Sequence, residues 1–425
     1  MKDFQNLIID ITTDFFIRSN DFNGIPLSHF TSLEEQGLPK TEFYEVLSHL
    51  ILNKQIVAMF DSHCVNPHIL RIPPLEPAKQ IELLKTNPYQ ICLYPTAEQV
   101  QSKKDLAEFN DRPFTKKLWL LEPHLTPFYF DLSVLEKYLH DARYSLKFND
   151  YEGNIHVKEK HISQKEIVTK DYIYLQTFGT GYDENKNRVV VVYLRYLSKL
   201  SPKHQSYWLN HLCDKHCEIN SDYHKATLYG ASPINISVYS ALLLEQKEIN
   251  TICNLIGKPS LFRKTFEYER PEGFHLMLSP TKSNFYNFAL LFDKIISDNL
   301  NKAFFERDIP SFSKKEHKDC TFERKYHGTL NLLENWLSKF YSIPNDPKAI
   351  SELIRPFKEL RKLRQAPAHS IINNEYDFKY AQMQDDLVTN VYDSLHILRV
   401  LFSRHPLAIT YKTPKWSMDD RVVLY

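Results

Sequence analysis

Glycine is scarce in this chain, with 9 residues in 425. Folds that cradle a phosphate in a glycine loop need several close together, and neither G-x-x-x-x-G-K-[ST] nor G-x-G-x-x-G occurs. G-x-S-x-G and H-E-x-x-H are missing too, which removes common signatures of serine hydrolases and zinc peptidases. No run of about 18 apolar residues is present, and the N-terminus from Met1 to Leu7 has no signal-peptide core. A soluble, cytoplasmic protein without a membrane partner is therefore expected. Cysteine is confined to Cys64, Cys92, Cys213, Cys217, Cys253 and Cys320. Six so scattered cannot frame a chain of this length with disulfides, so reduced thiols are expected. Charge of one sign is also lacking: 53 Lys and Arg against 52 Asp and Glu leave a net +1. Any affinity for nucleic acid must come from a local patch.

What is plentiful is apolar and aromatic: 43% hydrophobic residues, with 25 Tyr and 27 Phe. That is ample for two or three packed domains. The patterns predict an α+β protein, mostly α. In residues 1–75, Leu7, Ile8, Ile11, Phe15 and Phe16 mark one helix and Leu27 to Leu33 a short apolar piece. Phe43, Val46, Leu47, Leu50 and Ile51 mark a further helix over Thr41 to Leu52. Ile56 to Phe60 and Ile69 to Ile72 then read as a hairpin. This order resembles a winged helix-turn-helix. Its last helix offers only Lys40, His49 and Lys54 beside Glu42 and Glu45, so protein contact is as much expected as DNA binding.

The proline-rich Ile72-Pro-Pro-Leu-Glu-Pro77 marks a boundary, and residues 76–306 read as a mixed α/β middle domain of unnamed fold. Hairpins are expected at Tyr144 to Phe148 with Ile155 to Val157, and at Tyr172 to Leu175 with Arg188 to Tyr193. Gly179-Thr-Gly181 reads as a loop tip in the second. Leu194 to Leu300 is mainly helical. His211, Cys213, His216 and Cys217 are zinc-ligand types, and on a helix the two cysteines share a face. No companion ligand pair lies elsewhere, so solvated or packed side chains are expected and no metal. The rings of Trp208, Tyr207, Phe285, Tyr286 and Phe288 have the chemistry to stack on bases, but aromatics at helical spacing more often pack in a core, and no role is assigned to them.

Residues 307–425 begin with a polar connector, Arg307 to Gly328. Leu330, Leu333, Trp336, Leu337 and Phe340 then predict a helix. Asp346-Pro347 is a start signal for another, whose stripe is Leu353, Phe357, Leu360 and Leu363, with Pro356 as a possible kink. Arg355, Lys358, Arg361 and Lys362 fall on its other faces. From Tyr376 to Phe402, apolar residues at intervals of three and four predict about seven helical turns. The region reads as a small antiparallel helical bundle. Arg364 and His369 stand where two of its helices meet, and Pro367 should bend the chain between them. A second pair, Arg399 and His405, reads as dipole capping at a helix C-terminus.

A helical bundle with Arg-x4-His at a helix junction resembles the HEPN family, whose members include metal-independent RNases of toxin–antitoxin and antiphage systems. The resemblance covers residues 328–405; members often carry a small polar residue after the arginine, where this chain has Gln365. It implies that Arg364 and His369 are the catalytic pair of a homodimer that cuts RNA without a cofactor. The residue types suit that chemistry: a histidine moves protons near neutral pH, and an arginine clamps phosphate. On a straight helix five residues turn the chain by about 500°, leaving the two side chains roughly 140° apart. A second subunit would complete the site. Lys358, Arg361 and Lys362 are expected to track the RNA backbone, and the other 300 or so residues to regulate the activity through a protein or nucleic-acid trigger. The plain alternative for the pair is that Arg364 meets an acidic neighbour and His369 caps a helix. The alternative for the whole chain is a non-catalytic winged-helix regulator with a dimerising bundle.

Overall fold

The computed structural model describes residues 2–19, 21–31, 39–86, 90–165, 167–232, 235–266, 270–316, 322–341, 346–365, 373–417 and 421–425. It is an α+β fold, mostly helical, with about 51% helix and 16% strand. Two compact units divide it: residues 1–147 with 152–224, and residues 148–151 with 225–425. The division falls inside the stretch read as one middle domain.

In the first unit, α1 (Lys2–Arg18) and α2 (Lys40–Leu52) bury the faces that their spacing defines. Ile8, Leu47, Leu50 and Ile51 meet Phe60, Leu84 and Leu93 in one core. The hairpin expected at 56–72 does not form. Strand β2 (Val57–Phe60) pairs instead with β3 (Ile91–Tyr94), which also pairs with β1 (Ile25–Pro26), giving the order β1-β3-β2. Ile69 makes only an isolated bridge to Asn23. Pro73 and Pro74 follow directly, and a proline cannot extend a ladder, whereas all four residues of β3 are buried and suit a central strand. Helix α3 (Pro77–Lys85) joins the same core, so the proline-rich stretch at 72–77 is not a break in packing.

The larger sheet of this unit runs β4 (Pro127–Phe130), β8 (Arg188–Tyr193), β7 (Tyr174–Asp183), β6 (Glu152–Val157), β5 (Tyr144–Asn149), with β9 (Cys217–Ile219) also on β7. The first expected hairpin is present; in the second, Arg188 to Val191 pair with residues 179–182, while Tyr174 and Leu175 pair with β6, so Gly179-Thr-Gly181 is not a loop tip. It lies within β7, where a Cβ on Gly179 would stand 2.1 Å from the Tyr223 ring and one on Gly181 2.6 Å from the Glu218 carbonyl. The turn is made by residues 184–187, folded round Asp183. That carboxylate accepts from the Asn185 and Asn187 amides at 2.9 and 2.8 Å and from Lys215 at 3.1 Å. Burial would raise its pKa, yet these donors hold it down at about 2.

In the second unit, β10 (Ile236–Ser237) pairs in parallel with β13 (Val422–Val423) and leads into α4 (Val238–Leu255). Asp150, Arg270, Ser237 and Ser240 form a polar cluster at its start, with Arg270 Nη2 donating to Ser240 Oγ at 2.5 Å. Helices α5 (Lys282–Ile296), α6 (Thr329–Phe340), α7 (Ala349–Gln365) and α8 (Lys379–Ser403) make the bundle. Asp346 starts α7 as expected, its carboxylate accepting from the Lys348 amide at 3.0 Å. Phe288, Phe292 and Ile296 of α5 and Leu353, Phe357 and Leu360 of α7 are buried. The stretch read as a polar connector contains an antiparallel hairpin, β11 (Phe312–Glu316) with β12 (Phe322–Tyr326).

Candidate functional site

Helix α7 presents Arg361 and Arg364, three residues apart and so on neighbouring faces, in its last turn and a half. Both guanidiniums meet the C-terminal end of α5. Arg364 Nη1 donates to Asp293 Oδ2 at 2.8 Å and to Asp298 Oδ2 at 2.5 Å. Arg361 Nη2 donates to Asp298 Oδ1 at 2.8 Å, and its Nε stands 3.6 Å from Asp293 Oδ1. Each carboxylate therefore faces both arginines. The hydrogen bond that Arg364 donates to Asp293, and then the charge of Asp298, raise the Arg364 pKa above its ordinary value despite some desolvation.

The two acids differ in one respect that matters. Asp293 is fully buried, whereas the Asp298 side chain is 39% exposed. Asp293 sits on the apolar face of α5 between Phe292 and Ile296, a position where an ionised carboxylate is tolerated only if paired. Asp298 lies just past the helix end, near the negative pole of its dipole, where an acid is unfavourable without a cation. The chain turns there because the amides of Ser297 and Asp298 both reach back to the Asp293 carbonyl. Residues 261–264 pin the turn: the Arg263 amide donates to the Asn299 carbonyl at 2.8 Å, and the Arg263 guanidinium donates to the Asp298 carbonyl. Three arginines thus converge on Asp298.

The other expected contacts are distributed differently. Lys358 donates to both oxygens of Glu334 on α6, at 2.7 and 2.6 Å, and so is paired within the bundle. Lys362 is exposed, and none of the described acids pairs with it. Of the three residues expected to track RNA, two hold carboxylates of their own chain. His369 lies outside the described residues, as does the bend expected at Pro367; α7 itself ends at Gln365.

Arg399 is not a helix cap. It is 2% exposed and donates from Nε to Glu245 Oε2 of α4 at 2.6 Å, while Glu245 Oε1 meets His396 Nδ1 at 2.9 Å. An acid at a core position of α4 demanded a cation across the interface, and that demand outweighs dipole capping. His405 does cap, but the following turn, where its ring accepts from the Leu407 amide at 3.2 Å. The segment before Cys217 is not helical; Cys217 opens β9, with its sulfur 3.6 Å from that of Cys213. Burial and the neighbouring Cys213 push the Cys217 thiol up to about 12. Among the described residues no group of three or more His, Cys, Asp and Glu is arranged to hold a metal. No described helix is long and apolar enough to cross a membrane.

Asp293, Asp298 and Arg263 escaped the motif reading. The signal for Asp293 was available: it is the one acid on the buried stripe of α5. Which cation would meet it was not.

Compared with protein-family models, curated proteins and solved structures, the chain matches none.

Proposed function

We propose that this chain is a metal-independent endoribonuclease of a toxin or antiphage-defence type, with a HEPN-like C-terminal bundle acting as a dimer. The supporting observation is the state of Arg364: half-exposed at the end of its helix, with one guanidinium nitrogen fixed on a buried carboxylate. A guanidinium has five donors, and both Arg364 contacts use Nη1. Asp293 thus orients it while other donors remain for a phosphate. In the reaction the 2′-oxygen of RNA attacks the adjacent phosphorus, and the bond to the 5′-oxygen breaks. An imidazole takes the 2′ proton and returns a proton to the leaving oxygen, and arginine stabilises the phosphorane charge. The product is a 2′,3′-cyclic phosphate; His369 of one subunit supplies the imidazole and Arg364 of the other the guanidinium.

A second reading, a non-catalytic regulator with a winged-helix-like N-terminal region, is favoured by the pairing of Lys358 and Arg361 with Glu334 and Asp298. One experiment separates the two. Purified chain is incubated with labelled single-stranded RNA in EDTA, and cleavage by wild type is expected to fall about 100-fold or more in His369→Ala. Arg364→Ala is the poorer probe, because it leaves the buried Asp293 with Arg361 alone. Absence of cleavage, together with sequence-selective binding of duplex DNA, would establish the regulator.

A further inference from the structure

Two acids hold Arg364, and only one of them is built to stay. Asp293 has no exposed surface and no alternative partner in water. Asp298 lies in a turn beyond α5 and is already partly solvated. Its two oxygens each take one guanidinium, Oδ1 from Arg361 at 2.8 Å and Oδ2 from Arg364 at 2.5 Å. Two acceptor oxygens on one centre, facing two arginines, is the arrangement by which the non-bridging oxygens of a phosphodiester are held.

We infer that the Asp298 carboxylate occupies the seat of a nucleic-acid phosphate, and that Arg361 and Arg364 form a two-arginine phosphodiester clamp which Asp298 keeps closed. The inference rests on the nuclease reading only for the identity of the nucleic acid. Charge supports it: with Asp298 swung away, Arg361 and Arg364 face Asp293 alone and leave one net positive charge. A partly solvated ion pair contributes little, so displacing Asp298 costs little, whereas displacing buried Asp293 costs far more. Two buried polar atoms beside the clamp, Ser297 Oγ and Asp293 Oδ1, have no hydrogen-bond partner among the described residues. Of the unpartnered buried atoms here, the Ser297 hydroxyl and the Arg361 Nε–H are donors that the closed arrangement leaves unused. Lys358, tied to Glu334, is not part of the clamp.

The test measures binding separately from cleavage. The full-length chain carrying His369→Ala is titrated against a fluorescently labelled 12-nucleotide single-stranded RNA at low salt, with and without Asp298→Asn. The added change is expected to tighten binding about tenfold, and Arg361→Gln to abolish that gain. Asp386→Asn, which removes one exposed charge elsewhere, is expected to leave affinity within about twofold. Equal or weaker binding by Asp298→Asn at an unchanged melting temperature overturns the inference, as does a gain that survives Arg361→Gln or is matched by Asp386→Asn. If Asp298→Asn lowers the melting temperature, Asp298→Ser is read by the same criteria. Duplex DNA and inorganic phosphate serve as competitors; a gain seen only for inorganic phosphate marks a small-anion site and overturns the nucleic-acid assignment. Tighter RNA binding with no cleavage in EDTA by wild type or Asp298→Asn keeps the clamp and removes the nuclease. Cleavage by wild type with no change in binding does the reverse.

Discussion

His204 has both ring nitrogens engaged in the interior of the first unit. Tyr138 donates its hydroxyl to Nδ1 at 2.7 Å, and Nε2 donates to the Asp171 carbonyl at 3.2 Å. Trp208 completes the chain by donating to the Tyr138 oxygen at 3.0 Å. The ring is therefore the neutral Nε2–H tautomer, since a carbonyl can only accept. Burial, chiefly, lowers its pKa from 6.5 to about 4. The unfolded chain takes up a proton below 6.5 that the folded chain refuses until about 4. Stability from this group is thus complete above 6.5 and is lost as pH falls toward 4, by roughly 3 kcal/mol at the lower end. His124, half-buried and close to Arg195, is lowered to about 4 as well, chiefly by desolvation, and adds in the same direction. Urea unfolding at a series of pH values between 7 and 4 checks this; in His204→Phe the acid slope should flatten by about one proton. A slope identical to wild type would contradict it. None of this was legible in the sequence, where His204 is one of 18 histidines and its partners lie 66 and 33 positions away. Gly179 escaped for the same reason: only the Tyr223 ring, packed against the strand from a distant helix, explains why a side chain is missing there.

At the scale of elements, the amphipathic helices were the readable part. α1, α2, α6, α7 and α8 lie where spacing placed them, because burying one stripe fixes both the helix and its face. Strand pairing was less readable. A four-residue apolar run such as Ile91–Tyr94 carries no sign of its partner, and the nearer run at Ile69 to Ile72 was the natural but wrong choice. Acids on apolar stripes were the overlooked clue. Glu245 on α4 has no exposed surface and is held by Arg399 of α8, with His396 beside it. Arg399→Met should therefore destabilise the second unit by about 3–5 kcal/mol, because it strands a buried carboxylate. Glu245→Leu combined with Arg399→Met should recover most of the loss, since an apolar pair of similar volume removes the need for compensation. Chemical denaturation of the single and double variants decides; a double variant as weak as the single would show that the pair acts through something other than its charge.

For the whole molecule, the spacing of Arg364 and His369 bears on assembly. If one subunit cannot bring both to one phosphate, Arg364→Lys and His369→Ala chains should each be inactive alone. Co-expressed, they should regain RNA cleavage, because the mixed dimer contains a site with one intact arginine and one intact histidine. Cleavage by a species that light scattering finds strictly monomeric would refute the shared site. Net charge near zero gives no long-range attraction to RNA, so the recognition proposed above would have to be local and salt-sensitive.

The polar cluster at the start of α4 has a practical consequence. Asp150 belongs to the second unit, yet it comes from the turn between β5 and β6, more than 70 positions before the rest of that unit begins. A fragment starting at residue 225 would keep Arg270 and lose its carboxylate, and one ending at 224 would carry four residues that belong elsewhere. Dissecting this chain by a single cut would yield one half with an orphaned guanidinium; a faithful minimal piece has to be stitched from two separate stretches of the gene.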